Sequence, residues 1–540
     1  MTRAIRYGFV LPVVIQIFLL LSCRMAVVEI EDFSGILDVD GSDSVYKLNL
    51  NNKRNGAIIL NELENKDVFL VMVNTTNSAK NASAAPSSSV SGEVPVAIAN
   101  GDDIRVPAGF VTVNGETLVR YERQTQILPP TFPLNKSLRA MRSAASGYKS
   151  AQEGDTKTIY ADVSNPSDVP TPVTATLKKI GTYCKIWVAD TNFDHSSGGD
   201  NDNTINQTQI DALAAKFDAI YPLETNLLGY EYGGGSGGGG MDGDSHIQIL
   251  VCDIDGDFGS PRNGVTLGYF YTVDEYAKTQ YAYSNEAEIF YLDAEILDKI
   301  PDTAYSTLIH EFNHMINFNV KVLQQGNNWA NWESWYTEML SMLAEDAIGP
   351  LVGINGNVID ARIPDWLVSY ASYGVMQWND SNPLPYYSSN YAFGAYLVRN
   401  FGGPALLSAI AKSALGGEAS LDAALRALNG AHVTARYALS RFGEALVYSG
   451  SSKPAGVYSF DNAVTGLIGS TSYTFPAFDI WITNQSGTSD LGPKIYEYNL
   501  NGSAAIPAKG LKMFSLKEWK SLTVQIRNGD PNIHYYVMIK

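Results

Sequence analysis

His310-Glu311-Phe312-Asn313-His314 sits inside the run Tyr305-Ser306-Thr307-Leu308-Ile309 before it and Met315-Ile316-Asn317-Phe318 after it. Leu308, Ile309, Phe312, Met315 and Ile316 recur at helical spacing, so the stretch is expected to be an α-helix with an apolar face. Two residues four apart on such a helix stand about 40° apart around its axis and roughly 6 Å apart along it. Both imidazoles can then meet one tetrahedral Zn²⁺, whose Zn–N bonds are about 2.0–2.1 Å. Glu311 follows the first histidine and can point at the open side of a metal, where it would take a proton from water. The chain holds six histidines and two of them fall here, which makes a chance match rare. The competing reading is a buried amphipathic helix whose histidines only hydrogen-bond.

A catalytic zinc has three protein ligands and one open position. The metzincin pattern would need glycine at 317 and histidine at 320, but the chain has Asn317 and Val320, so that class is excluded. The other histidines, His195, His246, His432 and His534, are far away in sequence. A glutamate on a following helix is the better third ligand, and residues 329–346 read as that helix. Trp335, Met339, Met342 and Leu343 form its apolar stripe, and Glu338 lies amid them, where an unpaired carboxylate would be costly. Glu333 competes, but it lies near the expected helix start, where the helix dipole alone favours a carboxylate. Glu338 is preferred and Glu333 is kept as the alternative. Glu345 and Asp346 are expected to orient a ligand from behind or to face solvent.

Three segments carry a resemblance: HEFNHMINF at 310–318, WYTEMLSMLAED at 335–346 and NYAFGAYLVRNFGG at 390–403. Together they resemble the hyicolysin-type zinc metallopeptidases, within the thermolysin-like group whose third ligand is glutamate. The resemblance covers roughly residues 175–450. It implies His310, His314 and Glu338 as ligands of one catalytic Zn²⁺, Glu311 as general base, and a protein or peptide as substrate. It favours Glu338 because the Trp335, Glu338, Ser341 pattern is where relatives carry the ligand. It also implies a zincin-like catalytic domain with a mixed sheet, an active-site helix and a helical lower lobe. One departure stands out. Thermolysin-like enzymes often place an acidic residue four after the third ligand, and here that position is Met342. The partner of a ligand histidine must then come from elsewhere. A tetrahedral oxyanion also needs a hydroxyl or imidazole donor. Tyr391, in the run Tyr386-Tyr387-Ser388-Ser389-Asn390-Tyr391, is the expected donor, with a packing role as its alternative.

The first 22 residues form a second signal. Arg3 and Arg6 precede an apolar run over 7–21, interrupted by Pro12 and Gln16, and Leu20-Leu21-Ser22-Cys23 follows. The stretch is too short and broken for a stable membrane span and reads as a signal peptide. It resembles bacterial lipoprotein signals, which implies a lipidated Cys23 anchoring an exported protein to the cell envelope. An ordinary secretory signal cut elsewhere is the alternative.

A net charge of −18 with only 17% charged residues argues against nucleic acid and against adhesion to anionic lipid by charge. Cys184 and Cys252 lie in apolar strand-like runs, free to bridge if those strands are neighbours or to stay as small buried hydrophobes. The 540-residue chain is expected to be an α+β multidomain protein. A signal peptide at 1–22 would precede an N-terminal β domain at 26–130, with a mobile loop over 74–92, and a linker at 131–174. The peptidase domain would follow at 175–450, then a C-terminal β-sandwich at 453–540, with 478–482 and 522–526 among its strands. Within the peptidase domain, 233–240 is a glycine loop lacking the ending of a phosphate-binding loop. Asp253-Ile254-Asp255-Gly256-Asp257 is an acidic turn with Ca²⁺ as a second reading. Residues 286–293 alternate like an edge strand that pairs with extended substrate or merely blocks aggregation. The rival to a peptidase is a surface-anchored binding protein with an inactive peptidase lobe. The intact Glu311 argues against it, since binding needs no general base. Oligomeric state is left open.

Overall fold

The computed structural model describes residues 147–540, apart from 162–169, 195–203, 255–264, 356–357, 451–452, 454–455, 482–491, 498–504, 527–529 and 531. Before residue 147 it describes strand segments between 27 and 121. The signal peptide, Cys23, His195 and Asp255-Gly256-Asp257 lie outside the described residues. Among the described residues no helix is long and apolar enough to cross a membrane.

Three apolar runs build the centre of a six-stranded mixed sheet. Cys184–Ala189, Ile247–Cys252 and Ile289–Asp293 are buried at every position and pair in parallel, as strands covered on both faces do. Thr156–Ala161 and Thr171–Ile180 extend the sheet antiparallel on one side, and Gly268–Phe270 closes it antiparallel on the other. Ile186, Val188, Ile249, Val251, Phe290 and Leu292 face the helices. The opposite face packs Trp187, Leu250, Tyr269 and Tyr291 on Tyr148 and Ile159.

This arrangement changes three expectations. Thr156–Ala161 and Thr171–Ile180 belong to the sheet and Tyr148 meets Trp187 edge-on at 5.7 Å, so these parts of the expected linker are structural. Ile289–Asp293 lies inside the sheet, and the edge strand beside it is Gly268–Phe270. Cys184 pairs opposite Ile247, five positions before Cys252. At about 3.3 Å per residue that separation far exceeds disulfide reach, and both thiols are free and buried.

Helices cover one face of the sheet. Pro301–Lys321 begins with proline, whose missing N–H costs nothing in the first turn, and packs against Ser334–Ile348. Six more follow: Val358–Ser369, Leu384–Phe401, Gly403–Lys412, Gly417–Asn429, Ala435–Ser440 and Phe442–Tyr448. Arg399 on Leu384–Phe401 grips Asp346 on Ser334–Ile348 with two hydrogen bonds, 2.9 and 3.1 Å, both side chains buried.

The two chain ends do not form separate β domains. Asp67–Asn74 lies between Gly510–Glu518 and Ile533–Ile539, and Gly56–Leu60 pairs with Ser521–Ile526. Ile58, Leu60, Leu70, Leu522, Val524 and Val537 share one core. The strands of each end alone would expose unpaired edges, and the other end supplies the partners. Ser89–Glu93, expected in a mobile loop, also pairs with Ser521–Ile526. Phe478 stacks on Phe460 outside any strand, in place of the strand expected at 478–482.

Candidate metal centre

The helix Pro301–Lys321 brings His310 and His314 to one side, their ring centroids 4.8 Å apart. Ser334–Ile348 brings Glu338 opposite them. Glu338 Oε2 lies 3.0 Å from His310 Nε2 and 3.5 Å from His314 Nε2. The three donor atoms all fall within 4.8 Å of one another. Ligand atoms held about 2.0–2.1 Å from a tetrahedral ion stand roughly 3.3 Å apart, so the spacing fits one ion. All three side chains are buried. Burial alone would raise the Glu338 pKa, but the charges and hydrogen bonds of His314 and His310 hold it below its ordinary value.

Glu345 supplies the support that Met342 could not. Its Oε1 is 2.9 Å from His310 Nδ1, and Ser306 Oγ donates to its other oxygen. It stands seven residues beyond Glu338, two turns along the same helix face. A ligand histidine whose Nδ1–H is held this way presents Nε2 in one tautomer and one orientation. Glu345→Ala is expected to weaken Zn²⁺ binding about 10–100-fold. Titration against a competing chelator measures it, and unchanged affinity would show that this contact orients nothing.

Glu311 is buried beside the edge strand. A Cβ on Gly268 would lie 2.8 Å from Thr307 Cγ2 and 3.4 Å from Glu311 Cγ. The glycine thus lets the edge strand press against the helix at the glutamate. Beyond His314, Trp332 lies 6.4 Å from its ring, and Phe318 links Trp332 to Phe270 on that strand.

Two expected residues stand elsewhere. Glu333 stands at the residue before Ser334–Ile348 and its Oε2 accepts from Trp335 Nε1 at 2.7 Å, outside the three-donor group. Tyr391 is fully buried and donates its hydroxyl proton to Asp346 Oδ2 at 2.9 Å. Asp346 is fixed in turn by Arg399, so Tyr391 is a packing tyrosine and its proton is not offered to an oxyanion. The glycine loop lines a cavity of about 410 Å³ with Tyr221, Glu231 and Glu288, and none of the three donors lines it.

Residues 167–509 match the peptidase M30 family. The chain is also similar to the neutral metalloprotease ShpI of Staphylococcus hyicus, with 29% identity over 234 residues. That alignment covers 41% of this chain and 47% of the relative, so the chain spans about half the length of the protein it matches.

Proposed function

The chain belongs to the peptidase M30 family, and from that premise we propose that it is a zinc-dependent endopeptidase. The observation that carries the reading is the convergence of His310, His314 and Glu338 within 4.8 Å. Two imidazoles and a carboxylate are a donor set suited to catalytic zinc. Zn²⁺ held there would lower the pKa of a water towards 7 and polarise the scissile carbonyl. Glu311 accepts the proton of the attacking water on its carboxylate and delivers it to the leaving amine nitrogen. The edge strand Gly268–Phe270 lies next to Glu311, so it replaces Ile289–Asp293 as the strand that aligns an extended peptide through main-chain hydrogen bonds. Its backbone would bring the scissile bond up to the glutamate. The lipoprotein-type signal adds the proposal that the enzyme works at the cell envelope, held through Cys23.

The test is cleavage of a mixed peptide library by the purified full chain. Turnover is expected, lost on adding a zinc chelator and restored by Zn²⁺. Partner capture without turnover by the zinc-loaded protein would overturn the reading in favour of a binding protein.

A further inference from the structure

Ser341 and Asn313 stand behind the donor group and are both fully buried. Ser341 lies three residues after Glu338 on Ser334–Ile348, and Asn313 precedes His314. Asn313 Oδ1 accepts from Asn317 Nδ2 at 2.7 Å and from Ser341 Oγ at 3.2 Å. A hydroxyl has one proton to give. With that proton committed to Asn313, the lone pairs of Ser341 are what His314 Nδ1 meets at 3.4 Å. Nδ1 must then be the protonated nitrogen, and Nε2 carries the lone pair. Nε2 is the atom that faces Glu338 Oε2.

The amide of Asn313 could have been turned the other way, with nitrogen towards Ser341. Asn317 sets its direction, because its Nδ2 donates to Asn313 Oδ1 at 2.7 Å. Hydroxyl and amide are both uncharged, so this relay is neutral along its whole length. His310 is held by a carboxylate, and His314 is held by a hydroxyl.

We propose that Ser341 is a positioning residue whose hydroxyl, aligned by Asn313, locks His314 in the tautomer that presents Nε2 to a metal. The inference rests on the metal-centre reading above. Its test is Zn²⁺ affinity of the full chain, measured against a chromophoric chelator, with wild type measured first. Ser341→Ala is expected to bind Zn²⁺ about 10–100-fold more weakly, while the metal-free protein keeps the wild-type far-UV spectrum. Affinity within about twofold of wild type would overturn the proposal.

A second pair of variants decides the matter even if Ser341→Ala does not fold. Ser341→Val has no hydroxyl and should weaken binding about 10–100-fold. Ser341→Thr has nearly the same volume as Val but keeps the hydroxyl, and should stay within about threefold of wild type. A merely structural role for Ser341 gives the two variants the same affinity, and equal affinities overturn the relay. If the wild type itself takes up no Zn²⁺, the metal-centre reading falls and this inference falls with it.

Discussion

Glu311→Gln is expected to hold Zn²⁺ as tightly as the wild type and to hydrolyse peptides about 10²–10⁴-fold more slowly, the range general bases contribute. Glutamine keeps the volume and the hydrogen-bonding reach of glutamate, so the tight approach of Gly268 to this side chain is preserved. An amide oxygen still accepts a hydrogen bond from water, but the amide does not take a proton near neutral pH. Glu311 is also absent from the three-donor group, which is why uptake of metal should not change. The comparison therefore separates proton transfer from ligation. It needs two measurements on the same preparation, zinc content and kcat/KM on casein or a casein-derived peptide. Cleavage at the wild-type rate would remove Glu311 from the chemistry. Loss of zinc together with activity would move Glu311 from base to ligand or support, and the assigned roles would have to be redrawn.

The convergence of His310, His314 and Glu338 was legible because period and chemistry coincide there. Helical spacing fixes which residues share a side, and a carboxylate amid Trp335, Met339 and Met342 has to be compensated by something. Tyr391 shows where such reasoning stops. A tyrosine in a tyrosine-rich run looks available, yet its acceptor, Asp346, comes from another helix, and no local pattern reveals that pairing. Glu345 was legible as a group behind the site but not as the partner of His310, since that depends on how closely two helices approach. Alternation marks which face of a strand is buried and leaves its neighbours unstated. That is why residues 286–293 looked like an edge while Gly268–Phe270, only three residues long, takes the edge position. The same blindness divided the two chain ends into separate domains. Phe69 is flanked by Ser515 and Met538, more than 400 positions away, and only the assembled sheet joins them.

Glu338→Ala and Glu333→Ala are expected to part completely. Glu338→Ala should lower Zn²⁺ affinity by more than about 100-fold, since even the groups behind a ligand are worth 10–100-fold. Glu333→Ala should keep the full metal content. The two glutamates are five residues apart, so they lie about 140° apart around a helix axis, and only one can face the histidines. Glu338 does, 3.0 and 3.5 Å from their Nε2 atoms. The Glu333 carboxylate is taken by Trp335 and presses on the backbone at Gly417, where an added Cβ would lie 1.8 Å from its Oε1. Its loss should therefore register in stability, through an unpaired indole N–H, and not in zinc. Truncating Glu338 also leaves two buried imidazoles without the carboxylate that balances a bound cation, so the weakening exceeds that of a lost hydrogen bond. Zinc retained by Glu338→Ala and lost by Glu333→Ala would transfer the third ligand to the start of the helix. The geometry that brings the two histidines and Glu338 together would then not be the one that binds metal.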